Sequence, residues 1–331
     1  MKLKYLFLVI PFFVLSCQKD MHLVENKENA MRVAEAIDEN KVFPWVEELS
    51  ELHLSDIPVD NTGFPAVELF PSDHLTRSAA VGFVANAFAE MGYAVDTVAL
   101  GSEPQVAYNI VAELKGTTKP DEVVLVAGHL DAFYGGADDN TTAIAAMLEI
   151  ARAARQFQFE RTIRFVAFDL EEFGSVGSTR YIEAGYTNNV VSAVVMDLLG
   201  YSSEIAGSQQ NVSGVKLPDV GNYLLVIGNQ KSAEITQQLV NLSHTSGIAK
   251  TVGIVAPGNA NYFLSSVFTR SDHGLMWYKG TPALFFTDGA NTRNPNYHLS
   301  TDLPETINED FLIANTKLIA ATVAILAEVQ L

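Results

Sequence analysis

Cysteine is almost absent from this sequence: Cys17 is the only one, so no disulfide can form within the chain and its stability must come from packing. Basic residues are scarce as well, 21 against 39 acidic ones, which leaves a net charge of −18 with histidine neutral. A balance of that sign argues against nucleic acid or an anionic membrane surface as a partner, because both require a basic footprint. No stretch rich in proline, glycine or serine divides the 331 residues, and no internal repeat is visible, so one folded domain is the simplest organisation. What the chain does have is 48% hydrophobic residues, enough for a large core.

At the N-terminus, Lys2 and Lys4 precede an apolar run from Tyr5 to Leu15 that contains Pro11 and leads to Ser16 and Cys17. The run is too short to span a bilayer and has the charge, apolar centre and small-residue pattern of a secretory signal. Val14-Leu15-Ser16-Cys17 resembles the bacterial lipobox. That resemblance implies a lipoprotein signal peptide over 1–16, a lipid on Cys17, a tether over 17–30 and the folded catalytic domain over 31–331. A plain signal peptide that happens to contain a cysteine is the alternative. Gln18-Lys19-Asp20 is similar to the short tags that send some Bacteroidetes lipoproteins to the cell surface. The expectation is an exported lipoprotein at the outer membrane or cell surface, or on the periplasmic side, that meets the membrane only through its lipid.

Helical spacing predicts two short helices within 21–52, separated near Pro44. Pro58, Pro65 and Pro71 with Gly63 predict a loop over 53–73, and a helix runs from His74 to about Gly92. Strands are predicted at 94–100, 107–114, 121–130, 161–170, 190–198, 222–228 and 281–287. Helices are predicted at 141–155, 176–184, 232–246, 271–279 and 305–329. Their alternation argues an α/β three-layer sandwich with a mixed, mainly parallel central sheet, to which 94–100 and 107–114 add an antiparallel pair at one side. Residues 201–221 and 247–270 read as loops.

The stretch VVLVAGHLDAFYGGADDN, from Val123 to Asn140, organises the rest. A buried parallel strand ends by presenting His129, Asp131, Asp138 and Asp139 where a helix begins, at the strand end where α/β sheets bind ligands. His129 and Asp131 are two apart and can share a face, which suits Asp131 to orienting the imidazole rather than to binding metal. Asp138 and Asp139 sit beside a helix start, a place that favours ionised carboxylates but is equally suited to helix capping. Glu171 and Glu172 follow the strand RTIRFVAFDL, and Asp197 follows VVSAVVM; a carboxylate ending a buried strand is costly unless paired or metal-bound. His298, in the loop after TPALFFTD, completes a set of two imidazoles and three carboxylates that suits zinc.

GHLDA, GADDN, DLEEFGSVGS, MDLLG and YHLSTD, in this order over roughly 74–330, resemble the co-catalytic zinc exopeptidase family that includes secreted bacterial leucyl aminopeptidases and glutamate carboxypeptidase, with glutaminyl cyclases as relatives. The resemblance implies two zinc ions bridged by Asp139, one also held by His129 and Asp197, the other by Glu172 and His298. It further implies Glu171 as general base, Asp131 as partner of His129, and Tyr297 as a hydrogen-bond donor to the developing oxyanion. Ser271-Asp272-His273 is similar to a family loop near the site, and His273 is given no ligand role. His22, His53, His74 and His244 are expected to be structural or exposed.

The function expected from these residues is hydrolysis of N-terminal residues from peptides by water activated on a dinuclear zinc centre. One alternative is a glutaminyl-cyclase-like acyltransferase with a single zinc. Another is a non-enzymatic surface-binding lipoprotein on a degenerate peptidase fold. No arginine lies within these motifs where it would have to hold a substrate carboxylate, which favours an aminopeptidase over a carboxypeptidase.

Overall fold

The structure is a computed structural model that describes residues 27–58, 74–103, 105–212, 215–256 and 268–330. The signal peptide, Cys17 and most of the expected tether lie outside the described residues. Two helices come first, α1 over 27–35 and α2 at Glu39–Ser55. There follow β1 (Leu75–Thr76), α3 (Ser78–Glu90), β2 (Val95–Leu100), β3 (Ala107–Leu114), β4 (Lys119–His129) and β5 (Ala132–Phe133). The middle of the chain holds α4 (Ala143–Ala154), β6 (Gln158–Phe159), β7 (Arg161–Phe168), α5 (Val176–Glu183) and β8 (Val190–Met196). The last part holds β9 (Leu224–Gly228), α6 (Ala233–Ser246), β10 (Thr251–Val255), α7 (His273–Lys279), β11 (Ala283–Thr287), α8 (Glu309–Ala327) and β12 (Val329–Gln330).

Eight strands form the central sheet in the order β10-β9-β11-β8-β4-β7-β3-β2. Its centre, β11, β8, β4 and β7, is parallel throughout. The hairpin β2–β3 adds antiparallel to β7 on one side, and the parallel pair β9–β10 adds antiparallel to β11 on the other. Successive residues of β4 enter opposite cores. Val124 and Val126 face the core formed with α1 to α4, α6 and α8, while Val123, Leu125 and Ala127 face the core formed with α5 and α7. Helices on both faces explain why β4 reads as a continuous apolar run, and they make the three-layer sandwich that the alternating pattern implied.

α8 is long and apolar enough to cross a membrane, yet 61% of that window is buried against the domain. Leu312, Leu318, Ile319 and Val323 make it a core helix. α4 brings a fully buried acid: Glu149 Oε1 accepts the N–H of Asp38 at 2.6 Å, and Arg152 Nε donates to both carboxylate oxygens. Arg152 also donates to the Ala36 carbonyl at 2.6 Å, so the pair ties the turn between α1 and α2 to α4. Glu149→Ala is expected to lower stability by about 2 kcal/mol, a figure kept modest because the Arg152 side chain is 27% exposed. Urea unfolding checks this, and an unchanged midpoint would deny the tie any stabilising role.

Four local expectations need correction. α2 does not restart after Pro44 but runs through it to Ser55, because Val42, Val46, Leu49 and His53 bury one face and outweigh the lost hydrogen bond. Ala30 and Val33 of α1 are buried, so packed structure reaches back to 27, into the segment expected to be tether. The helix expected from His74 starts at Ser78, since Leu75 and Thr76 pair instead with Phe133 and Ala132. β10 lies within the segment read as loop; it is five residues long, partly exposed and interrupted by Gly253, too little for a periodic signal.

Candidate metal centre

Parallel strands bring their carboxyl ends to one edge of the sheet, and the polar residues cluster there. His129 ends β4, Glu171 and Glu172 follow β7, Asp197 follows β8, and His298 comes from the turns after β11. Asp139 lies between the two imidazoles. Its Oδ1 is 3.3 Å from His129 Nε2 and its Oδ2 is 3.0 Å from His298 Nε2. His129 Nε2 is also 3.3 Å from Asp197 Oδ1, and His298 Nε2 is 3.1 Å from Glu172 Oε2. All five residues expected as ligands therefore lie together, as two histidine–carboxylate pairs joined by one shared carboxylate.

Asp131 is fully buried behind them. His129 Nδ1 donates to the Asp131 carbonyl at 3.0 Å, with the Asp131 carboxylate at 3.6 Å, so the backbone is the nearer partner of the ring. Occupying Nδ1 in this way turns Nε2 toward the cluster as an acceptor. The Asp131 carboxylate instead accepts the N–H groups of Glu171 at 3.0 Å and Glu172 at 3.1 Å. It orients the loop that presents both glutamates as well as the imidazole.

Asp138 and Asp139, adjacent in sequence, have different jobs. Asp138 points away from the histidines and accepts from the Gly200 N–H at 2.8 Å and from Asn294 Nδ2 at 2.7 Å. It also shares a hydrogen bond with Asp288, and burial, opposed by these bonds, raises the pKa of Asp138. Neither acid caps α4, whose N-cap is Thr142 and has no side-chain cap. Gly136, at φ +47°, makes the preceding turn possible; a Cβ there would lie 2.3 Å from the Ala132 side chain.

Several contributors were not visible as such in the sequence. Asp302 accepts the N–H groups of Asp138 at 2.9 Å and Asp139 at 3.0 Å, fixing the segment that carries the shared carboxylate. Asn140 accepts the Leu198 N–H and donates to the Met196 carbonyl, holding the chain on either side of Asp197. Asp272 is buried and accepts from Ser178. Left-handed backbone is adopted by Leu170 before Glu171, Ser175 beside it, Leu198 after Asp197, and His298 itself, at φ 57°, 57°, 55° and 59°. Such conformations cost on the order of 1–3 kcal/mol each and aim side chains that a relaxed strand end would not.

Acids outnumber imidazoles here, and the electrostatics follow. Burial alone would neutralise His129, but Asp131, Asp139 and Asp197 outweigh it and push its pKa well above the ordinary histidine range. His298, against burial, is raised to about 10 by Glu172 and Asp139. Burial and the charge of Asp139 raise Glu172 to about 7. Burial holds Glu171 well above the usual carboxylate range, with Asp272, Glu172 and Asp197 adding to it. A site with this surplus of negative charge calls for a cation. The donor set fits one: ligand atoms of His129, Asp139 and Glu172 lie within 4.8 Å of one another, and Glu172 Oε1 is buried without a hydrogen-bond partner. Nitrogen and carboxylate donors together suit zinc.

Tyr297 stacks on His298 with ring centroids 3.8 Å apart, and its hydroxyl is 3.4 Å from Arg270 Nη2. An arginine thus stands at the site after all, one residue before the Ser271-Asp272-His273 segment. His273 takes no part in the cluster: it is buried, stacked on Phe285 at 3.9 Å and bonded to the Phe268 carbonyl. His53 is buried on Thr76, His74 stacks on Tyr134 and His244 meets the Thr251 carbonyl; His22 lies outside the described residues.

His53 and His273 make stability pH-dependent. Burial lowers each to about 4, against Asp131 and Asp56 for His53 and the Phe268 carbonyl for His273. The unfolded chain binds these protons near pH 6.5 and the folded one does not. Stability is therefore complete above pH 6.5 and falls as pH drops toward 4, by about 3 kcal/mol per histidine. Urea midpoints at pH 7 and 4.5 should differ less in His273→Phe than in the parent; equal pH slopes would contradict this.

A mainly parallel sheet with two imidazoles, three metal-competent carboxylates and a further acid at its carboxyl edge defines a candidate metallohydrolase. Residues 109–323 match Peptidase family M28, and the chain belongs to that family. It is 26% identical to the protein YfbL of Escherichia coli K12 over 253 residues, 71% of this chain and 76% of that one. Among solved structures it is similar to the LapA aminopeptidase of Legionella pneumophila, with a TM-score of 0.64 and 17% identity over 91% of this chain and 75% of that one. It is also similar to the glutaminyl cyclase of Porphyromonas gingivalis, with a TM-score of 0.60 and 14% identity over 86% and 97%. At these identities the two structural likenesses are likenesses of fold.

Proposed function

We propose that the protein is a dinuclear zinc aminopeptidase that removes N-terminal residues from peptides. The observation that carries this is the shared carboxylate of Asp139, one oxygen on His129 and the other on His298, each imidazole having its own second carboxylate in Asp197 or Glu172. Family membership and the fold shared with an aminopeptidase support it. Zinc bound by these residues would polarise the scissile carbonyl and acidify the attacking water.

Glu171 is the acid left over. Its backbone is fixed by Asp131 and its Oε1 accepts from Ser175 Oγ at 3.2 Å. It takes the proton of the attacking water and returns it to the leaving amine, a shuttle that requires a carboxylate not committed elsewhere. Tyr297, stacked beside His298, donates its hydroxyl to the oxyanion. A cavity of about 90 Å³ adjoins Asp197 and Tyr297 and is lined by Leu225, Ile227, Ile254, Phe268 and Phe285. It accepts an apolar side chain of the N-terminal residue, so leucine-type substrates are expected to outpace lysine-type ones.

The sequence signal at Val14–Cys17 makes export as a lipoprotein part of the same proposal. Metabolic palmitate labelling that disappears in Cys17→Ser would support it, and labelling that persists would refute it. The activity is tested by mass spectrometry of peptides with free, acetylated and glutaminyl N-termini incubated with the zinc-loaded protein. Stepwise shortening of the free peptides alone is expected. Loss of ammonia from glutaminyl peptides without shortening would make the protein a cyclase, and no change in any peptide would count against an enzyme.

A further inference from the structure

We propose that Arg270 is a specificity residue that binds a substrate carboxylate on the residue following the scissile bond, so that short peptides ending there are favoured. This rests on the aminopeptidase proposal and names its substrate class. Arg270 Nη1 donates to Asn291 Oδ1 at 2.9 Å and Nη2 lies 3.4 Å from the Tyr297 hydroxyl. Both partners are neutral. Among the described residues no carboxylate pairs with this guanidinium, and residues 257–267, just before it, include no Asp or Glu. Arg77, Arg152, Arg161 and Arg164, in contrast, each have an acid partner.

A guanidinium carries five N–H donors in a planar fork that matches a carboxylate, and most of those of Arg270 are uncommitted. The side chain is exposed and lines the same cavity as Asp197 and Tyr297. With the scissile carbonyl at the Tyr297 hydroxyl, the guanidinium is one hydrogen bond further out. In a dipeptide, the C-terminal carboxylate carbon follows the scissile carbonyl carbon by three bonds, at most roughly 4 Å away. It therefore falls within the fork's reach. The electrostatics agree: a substrate carboxylate brought toward Asp197, Glu171 and Glu172 would be repelled unless a cation met it, and Arg270 is a cation there with no acid partner among the described residues. The carboxylate can be the C-terminus of a dipeptide or an acidic side chain at that residue.

The test compares the zinc-loaded protein on Leu-Ala, Leu-Ala-amide, Leu-Glu-amide and Leu-Ala-Ala-Ala. The expected kcat/KM for Leu-Ala exceeds that for its amide about tenfold or more, carried by KM, and Arg270→Gln erases this ratio while Arg270→Lys restores part of it. Leu-Glu-amide outrunning Leu-Ala-amide in an Arg270-dependent way would assign the carboxylate to a side chain. Calorimetry on the Glu171→Gln protein gives a readout apart from turnover: adding Arg270→Gln should weaken Leu-Ala about tenfold and its amide much less. Equal affinity for acid and amide, or an acid preference that survives Arg270→Gln, would overturn the proposal. Failure to hydrolyse any of the four peptides with zinc bound would instead overturn the aminopeptidase reading, leaving calorimetry to judge Arg270.

Discussion

Glu171→Gln should reduce kcat by roughly 10³-fold while zinc content stays that of the parent, since a positioned general acid–base group contributes 10²–10⁴-fold. Three features single out this acid from the others around it. Asp139, Glu172 and Asp197 face the imidazoles, and Asp131 has both oxygens occupied by backbone N–H groups. Among the described residues Glu171 has the Ser175 hydroxyl as its side-chain hydrogen-bond partner, and a glutamine can keep that contact while giving up the ability to take a proton. Burial already favours its protonated form, so a cation nearby is what would free it to act as a base at neutral pH. Activity of Glu171→Gln within tenfold of the parent would remove it from the mechanism. Loss of zinc along with activity would make it part of the donor set.

The fold was legible wherever a long apolar run had to be buried. β4, β7, β8 and β11 announced themselves because both faces of each are covered, and the acids and histidines at their ends were conspicuous for the same reason: a polar group next to a buried strand needs a partner. β10 and the two-residue strands stayed hidden because their pairing depends on neighbours distant in sequence, not on local pattern. The same holds within the site. The residues expected as ligands could be picked out from residue type at a strand end, but the role of Asp302 depends on accepting N–H groups from residues more than 160 positions away, and that of Asp138 on Gly200 and Asn294. Arg270 was overlooked because it precedes its motif, and only its contacts with Asn291 and Tyr297, distant in sequence, reveal where the guanidinium lies. A weak signal for Asp302 did exist, an acid four residues after an expected histidine ligand in a loop that must fold back on the site.

Asp302→Ala should lower zinc affinity by 10- to 100-fold and activity at limiting zinc in proportion, although Asp302 touches no expected ligand side chain. The residue is 1% exposed, and its carboxylate accepts two consecutive N–H groups, those of Asp138 and Asp139. Alanine would leave both donors buried and unsatisfied, and the chain can recover them only by moving the segment that aims Asp139 at the two imidazoles. Because Asp139 serves both histidines, one displaced segment disturbs both halves of the centre at once, which a change at Asp197 or Glu172 would not. Asparagine separates the two functions of the carboxylate. Its amide has a single acceptor oxygen, so Asp302→Asn should keep one N–H and fall between the parent and alanine. Chelator competition gives the affinities, and circular dichroism at matched temperature establishes that the variants are folded. Parent-like zinc binding in folded Asp302→Ala would mean that Gly136 and the turn around it hold Asp139 without help, and that the carboxylate contributes only to stability.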